Sequence, residues 1–364
     1  MTQAHRPPRR VLLMAFSQGL LGRILLCTFV LSALMEILSL LEQTTLILGR
    51  HLGLKGVLTY AILHFPAIVL QAIPLSVMMG ALFLLMQMTL NSEVASLRAA
   101  GLSTVRLYLL MLPATLVVGM IAMALHEFAA PQAELQLARW WSQTDRHPQD
   151  DTRAFWFHSR TDIVHVGAFG RGGRDLYSLA LFQRNADGLL IGTATAETAN
   201  YEKGEWHVHN MRWLSPQPNK VVVKVTGDHT IGQAGVTPDD ILVMSQSYPI
   251  LSTRKINAIL HHGAAASLPK AAYRMALFLP YIIPLNLCVM LLLALPVVYI
   301  PPRTGTRSLM PVAALGAGFG FIVLQGLIQA LGNAGTLPAV PAIVAAPIMA
   351  IMFGIAWLLK MEER

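Results

Sequence analysis

Cysteine and charge are scarce in this sequence. Of its 364 residues, 2 are cysteine and 13% are Asp, Glu, Lys or Arg. Cys27 and Cys288 both lie inside apolar runs, and neither has a nearby partner, which argues against a disulfide framework and against a CxxC metal site. Ordinary soluble domains carry about 25% charged residues. The low charge therefore excludes a single soluble domain.

Clusters of like charge and nucleotide-binding motifs are also missing. The net charge is +8, but the bases are scattered, so no nucleic-acid-binding tail is expected. No GxSxG, HExxH or GxxxxGK[ST] motif occurs, and the chain is not expected to hydrolyse ATP itself. The pair in "HVH" (207–209) lacks a third ligand at fixed spacing, so solvent-facing histidines are the preferred interpretation. We predict no catalytic residues, no metal site and no cofactor.

Long apolar runs are abundant, and hydrophobic residues make up 54% of the chain. A helix that crosses a bilayer needs about 20 apolar residues, and six segments meet this requirement. The predicted spans are roughly 24–48, 56–92, 107–126, 275–302 and two within 308–359 that are divided by a turn in 332–341.

Basic residues predict the orientation of these spans. If the N-terminus is cytoplasmic, the outer short loops hold only Arg50 and Lys55, whereas the inner face holds ten bases. This asymmetry favours cytoplasmic N- and C-termini. It places Arg98 and Arg303 on the inner face and Gly188 on the outer face.

The segment from about residue 131 to residue 270 has a different composition. It contains runs rich in β-branched and aromatic residues, such as "LYSLALFQR" and "KVVVKVTG", separated by turn formers such as "RGGRD" and "NADG". The predicted fold is a membrane α-helical bundle of six transmembrane helices with an antiparallel, jelly-roll-like β domain. The predicted divisions are 1–130 (spans one to three), 131–250 (β domain), 251–272 (connecting helix) and 273–364 (spans four to six).

The stretch "SEVASLRAAGLS" (92–103) interrupts two apolar runs. Ser92 or Asn91 is predicted to cap a short inner-face helix over 92–100, with Glu93 in its first turn. Gly101 suits a left-handed helix end. Two of its residues, Val94 and Leu97, form a narrow apolar side. A helix that merely lies on lipid is the alternative, but such helices usually carry more bases than the one here, Arg98.

Four stretches are informative when taken together: "SEVASLRAAGLS", "HEFAAPQAELQLAR" (126–139), "PPRTGTRSLMPVAALGAGFGF" (301–321) and "LPAVPAIVAAP" (337–347). Together they resemble the LptF/LptG family of lipopolysaccharide export permeases. Their order and spacing agree with the family over nearly the whole chain, and the last two look more like its LptG branch. The resemblance implies an inner-membrane subunit of an ABC transporter. Such a subunit extracts lipopolysaccharide and passes it through a periplasmic β domain toward the outer membrane.

The resemblance also implies partners. The partners are a paralogous LptF-like permease subunit, a dimeric cytoplasmic LptB-like ATPase, a single-pass LptC-like protein and a periplasmic LptA-like bridge protein. The ATPase is expected to bind the short helix through Ser92, Glu93, Val94, Leu97, Arg98 and Gly101.

Lipid contacts follow from the same resemblance. An apolar cavity wall is predicted from Phe65, Leu70, Leu75, Phe319, Phe321 and Leu324, with ordinary lipid-facing packing as the alternative. Glu36, an acid near mid-span, needs a place in the bundle interior, at a partner subunit or in a watery cavity. Candidate contacts to lipid phosphates are Arg50, Lys55, Arg139 and Arg274. In the β domain, one set of strand residues is expected to line an apolar trough that admits acyl chains, with a closed core as the alternative. This set is drawn from Trp156, Phe157, Val164, Val166, Leu179, Leu181, Trp206 and Val208.

Two other function classes stay open from the sequence. One is a membrane-anchored enzyme that acts on lipid through its histidine-bearing β domain. The other is a lipoprotein-release permease, which is also driven by an ATPase but is expected to have four spans rather than six.

Overall fold

The computed structural model describes residues 9–144, 154–159, 162–185, 187–217, 220–225, 227, 229–232, 235–246, 249–300 and 308–363. The chain forms two compact units. The first comprises residues 1–41, 65–127 and 278–364, and the second comprises residues 42–64 and 128–277.

Ten α-helices occur in the described residues, and six helical stretches among them are long and apolar enough to cross a membrane. The helices are α1 (Arg9–Gly49), α2 (Gly53–Leu90), α3 (Glu93–Ala99), α4 (Thr104–Ala124), α5 (Ala130–Gln143), α6 (Pro238–Met244), α7 (Thr253–His262), α8 (Lys270–Ala294), α9 (Met310–Asn333) and α10 (Ala339–Glu362). A π-helical turn, Leu125–Ala129, joins α4 to α5, and a 3-10 turn, Leu295–Tyr299, continues α8. The six-span prediction is confirmed.

The helices run further than the apolar runs predict. Helix α1 has 41 residues, about 60 Å at a rise of about 1.5 Å per residue, and it begins 15 residues before the predicted start at Ile24. The third span continues through α5 to Gln143, beyond the predicted boundary at residue 130. Helix α2 is continuous through Pro66 and Pro74. Apolar composition marks the lipid-crossing part of a helix, whereas hydrogen bonding within the helix continues beyond it.

Close helix contacts in the first unit depend on glycine. A Cβ atom on Gly80 of α2 would lie 2.9 Å from the backbone nitrogen and 3.1 Å from the Cα of Ile24 in α1. Small residues at such positions let two membrane helices approach each other closely. Nearby, the fully buried side chains of Leu20, Ile24, Val77 and Met78 form part of the unit's core.

We predict that Gly80→Ala destabilises the bundle. The added methyl group meets backbone rather than a movable side chain, and overpacking of this kind costs about 1–3 kcal/mol. The midpoint of thermal unfolding of the purified protein in detergent should therefore fall. Gly22→Ala in α1 is the matched control, because a Cβ there would meet no heavy atom of the described residues within 4 Å. Equal midpoints for the two variants would contradict this account of the α1–α2 contact.

Within its described residues, the second unit holds one antiparallel sheet of eight strands. The strands are β1 (Phe155–Ser159), β2 (Asp162–Gly170), β3 (Asp175–Arg184), β4 (Leu190–Glu202), β5 (Glu205–His209), β6 (Arg212–Gln217), β7 (Lys220–Val225) and β8 (His229–Gly232). The neighbours run β1-β2-β3-β4-β5-β8, and β6 pairs with both β4 and β7. Because β4 is 13 residues long, its first half pairs with β6 and its second half with β5. The predicted antiparallel β domain is confirmed.

Two details of this unit differ from the sequence pattern. The run 154–169, which looks like one strand, contains the paired strands β1 and β2. Helix α6 was not anticipated, although a signal for it exists: Thr237 and Asp240 form a capping box around Pro238. Burial tends to raise the pKa of Asp240, but hydrogen bonds from Lys255 and Thr237 outweigh it and hold the pKa below its ordinary value.

Candidate functional site

The short helix α3 lies between the second and third spans. Backbone conformation determines where it begins and ends. Ser92 precedes it with a left-handed φ of 58°. Its hydroxyl makes no capping bond, so the predicted side-chain cap is wrong; Asn91 Nδ2 instead donates to Glu93 Oε1 at 3.3 Å. At the other end Gly101 has a φ of 85°, which confirms the left-handed helix end. Leu102 N donates to the Leu97 carbonyl at 3.0 Å, as in a Schellman motif.

The two sides of α3 have different surroundings. Val94 is buried and Leu97 half-buried, and both pack against the apolar core of the first unit. On the other side Glu93, Ala95 and Ser96 are exposed. The apolar side that the sequence assigns to a partner therefore attaches α3 to its own bundle, and the exposed side carries the acid.

Arg98 connects α3 to two other elements. Its guanidinium carbon lies 4.2 Å from the centre of the Tyr299 ring, and its Nη2 lies 3.4 Å from Thr104 Oγ1. Thr104 Oγ1 and the Tyr299 hydroxyl are 3.0 Å apart. Sequence reasoning missed Thr104 and Tyr299. Tyr299 is separated from α3 by about 200 residues, and no local pattern joins Arg98 to either residue.

The predicted lipid-cavity residues of the first unit divide by burial. Phe65 and Phe319 are exposed, at 45% and 52%, whereas Phe321 is 4% exposed and belongs to the packed core. Leu70 and Leu324 are half-buried against that core; Leu75 is also half-buried. Glu36 is buried in α1 at 8% exposure. Phe321 thus contributes to packing of the bundle rather than to an open wall.

The second unit contains an apolar cavity of about 750 Å³. Strands β1 to β5 line it together with residues of α6 and of the segment after α7. Six of the eight predicted trough residues are among its lining: Phe157, Val164, Leu179, Leu181, Trp206 and Val208. Val166 is fully buried in the adjoining core. Trp156 is 53% exposed and contacts the rings of His165 and Phe182 instead.

Small side chains on β4 leave this space open. Across the β3–β4 pair, Leu176, Leu179 and Leu181 stand opposite Ala199, Ala196 and Ala194. All six side chains line the cavity. An alanine opposite each leucine leaves volume that two large side chains would fill. The run "TATAETAN" therefore carried a signal for the trough that hydropathy alone does not reveal.

The four candidate phosphate-binding bases are not equivalent. Arg50 Nη1 donates to the Trp141 carbonyl at 2.6 Å, and its guanidinium carbon lies 4.4 Å from the Trp141 ring centre. Arg139 binds both carboxylate oxygens of Asp239, at 2.9 and 2.5 Å. Lys55 and Arg274 are exposed. The two arginines thus have roles within the chain. No group of three His, Cys, Asp or Glu that could hold a metal ion occurs in the described part of the chain.

Comparison with known proteins gives a consistent result. The family model for the lipopolysaccharide export system permease LptF/LptG matches residues 17–360. The chain is 22% identical over 348 residues to the lipopolysaccharide export system permease protein LptG of Escherichia coli K12, covering 93% of this chain and 95% of that protein. It is also 22% identical over 370 residues to LptG of Haemophilus influenzae Rd, covering 95% and 97%. With six candidate spans, the match indicates a multi-pass protein of the inner membrane. The chain belongs to the LptF/LptG family of lipopolysaccharide export system permeases.

Proposed function

We propose that this chain is the LptG-like subunit of an ATP-driven exporter that takes lipopolysaccharide from the inner membrane and delivers it toward the outer membrane through its β domain. The partners are an LptF-like subunit, a dimeric LptB-like ATPase, a single-pass LptC-like protein and a periplasmic LptA-like bridge. Family membership supports the transport role. The chain itself is the membrane subunit, and the ATPase is a separate protein.

One observation carries the coupling part of the proposal. Helix α3 attaches to the bundle by its apolar side and presents Glu93 on its exposed side. A rigid helix held by a span at each end suits a partner that pulls or pushes on it, because force applied to the helix reaches both spans. Glu93 is the proposed electrostatic contact to a base of the ATPase.

The lipid path combines two apolar regions. In the first unit, exposed Phe65 and Phe319 and half-buried Leu70, Leu75 and Leu324 are the proposed contacts for acyl chains. In the second unit, the cavity of about 750 Å³ along β1 to β5 is the proposed site that receives acyl chains, because apolar surface removed from water there contributes about 25 cal/mol per Å². Exposed Lys55 and Arg274 are the proposed contacts to lipid phosphates, because Arg50 and Arg139 are engaged with Trp141 and Asp239.

Sidedness gives the first prediction of this proposal. Helix α3 should face the cytoplasm, and the β domain should face the periplasm. The test uses a background in which Cys27 and Cys288 are replaced. In that background, an impermeant thiol reagent added outside the inner membrane should label Asp187→Cys. Position 187 lies beside Gly188, whose left-handed φ of 82° makes it a poor site for cysteine. Ala100→Cys should react only after permeabilisation. Labelling of Ala100→Cys in sealed membranes would overturn the topology. Arg303 lies outside the described residues, and its inner-face position stays a prediction from sequence.

Purification tests the transport proposal itself. The chain, isolated with its partners in mild detergent, should bring a soluble ATPase and lipopolysaccharide, identified by mass spectrometry. An isolated chain that retains neither, and that modifies lipid alone, would favour the membrane-anchored enzyme.

A further inference from the structure

We propose that Arg98 is a positioning residue that locks α3 to the inner ends of the third and fourth spans, so that a movement of α3 is transmitted to both. This inference rests on the proposed function, in which an ATPase moves α3. It assigns Arg98 a role inside the chain, distinct from the partner contact assigned to Glu93.

The geometry of one side-chain cluster supports this role. Arg98, Thr104 and Tyr299 each contact the other two, at 4.2 Å from guanidinium to ring, 3.4 Å from guanidinium to threonine hydroxyl and 3.0 Å between the hydroxyls. Thr104 is the first residue of α4, and Tyr299 is the last of the 3-10 turn that continues α8. One side chain therefore joins α3 to the start of α4, which follows it in the sequence, and to the turn after α8, about 200 residues away.

Open space lies beside the cluster. A cavity of about 610 Å³ is bordered by Arg98, Thr104 and Tyr299, by Met310 at the start of α9 and by Glu362 at the end of α10. Arg98 is exposed, whereas Val94, one turn earlier in α3, is buried in the core of the first unit. The contacts of Arg98 with Thr104 and Tyr299 therefore restrain α3 where its apolar packing ends.

Two kinds of contact restrain α3 differently. Val94 and Leu97 attach α3 by apolar contact, which is non-directional and holds the helix without fixing its angle or register. A guanidinium that stacks on a ring and donates to a hydroxyl is directional, and Arg can do both because it is planar and carries a fork of donors. Lysine keeps the charge but loses the planar stack.

The test uses the complete complex in vesicles that contain lipopolysaccharide, with ATP hydrolysis and lipid release measured together. Arg98→Ala and Tyr299→Leu should each retain the ATPase at the wild-type level while lipid released per ATP falls by roughly threefold to tenfold. The double variant should be no worse than either single one, because both remove the same contact. Arg98→Lys and Tyr299→Phe, which keep the charge or the ring, should lose less. Arg106→Ala removes another exposed arginine from the start of α4 and should not change this ratio.

A covalent cross-link distinguishes a role of Arg98 inside the chain from a contact of Arg98 with the ATPase. In a background without Cys27 and Cys288, Arg98→Cys combined with Tyr299→Cys should be poorly coupled, and a flexible bis-maleimide joining the two cysteines should restore release per ATP. The proposal is overturned if Arg98→Ala loses the ATPase as Glu93→Ala does, if release per ATP is unchanged, or if the cross-link restores nothing. A wild-type complex that releases no lipid with ATP would overturn the proposed function, and this inference with it.

Discussion

Glu93→Ala is expected to leave the bundle folded and to remove the ATPase from it. Glu93 is exposed and accepts a hydrogen bond from Asn91 Nδ2, so its loss should change little inside the chain. In the complex, a base of the ATPase would be left buried without its partner, which typically costs about 3–5 kcal/mol. Affinity should then fall by roughly two to four orders of magnitude. The measurement is retention of the ATPase during purification, together with ATP-dependent lipid release.

Two controls sharpen this prediction. Glu363→Ala removes an exposed acid that follows α10 and should retain the ATPase. Glu93→Lys should be as poor as Glu93→Ala, and reversing the charge of the facing base on the ATPase should restore binding. If Glu93→Ala assembles and transports normally, α3 is only an interfacial helix and the coupling account fails.

Filling the trough is expected to stop transport after the ATPase has bound. Ala196 lies opposite Leu179 and lines the cavity, so Ala196→Trp should occupy the space that acyl chains need. Lipid delivered to an acceptor should fall more than about tenfold, while ATPase binding stays unchanged. Because the tryptophan side chain enters existing space, the free energy of unfolding should fall by less than the roughly 1–3 kcal/mol that overpacking costs.

Leu190→Trp is the matched control for the trough. Leu190 is in the same strand, is 49% exposed and is absent from the cavity lining, so transport should be preserved. Normal delivery by Ala196→Trp would contradict passage through the cavity. A large loss of stability would show instead that the region is a closed core.

The membrane architecture could be predicted well because lipid imposes a simple rule. Backbone polar groups in the bilayer must bond within a helix, so each apolar run of sufficient length became a span, including the pair divided by the turn before Ala339. The ends could not be predicted, since α1 and α5 continue beyond the apolar runs. In the β domain, composition indicated strands, but the hairpin between β1 and β2 fell inside one run.

Some features of the candidate site could also be predicted from the sequence, and others could not. Features of α3 that depend on neighbours in sequence, such as the Gly101 end, could be predicted. The direction of its apolar side could not, because a narrow apolar stripe does not reveal whether it packs on its own bundle or on a partner. Two further contacts could not be predicted either, because they depend on tertiary packing between distant segments. They are the contact of Arg98 with Tyr299 and the contact of Arg50 with Trp141.

If lipopolysaccharide moves through this chain when ATP is hydrolysed, as we propose, a photocrosslinker at Leu179 should contact it on the way. Leu179 lines the β-domain cavity. In vesicles that hold the complete complex and lipopolysaccharide, position 179 should capture the lipid with ATP, and capture should fall to background without ATP or with Glu93→Ala. The same crosslinker at exposed Leu190 should capture little. Capture at position 179 that does not depend on ATP, or no capture at all, would contradict the account.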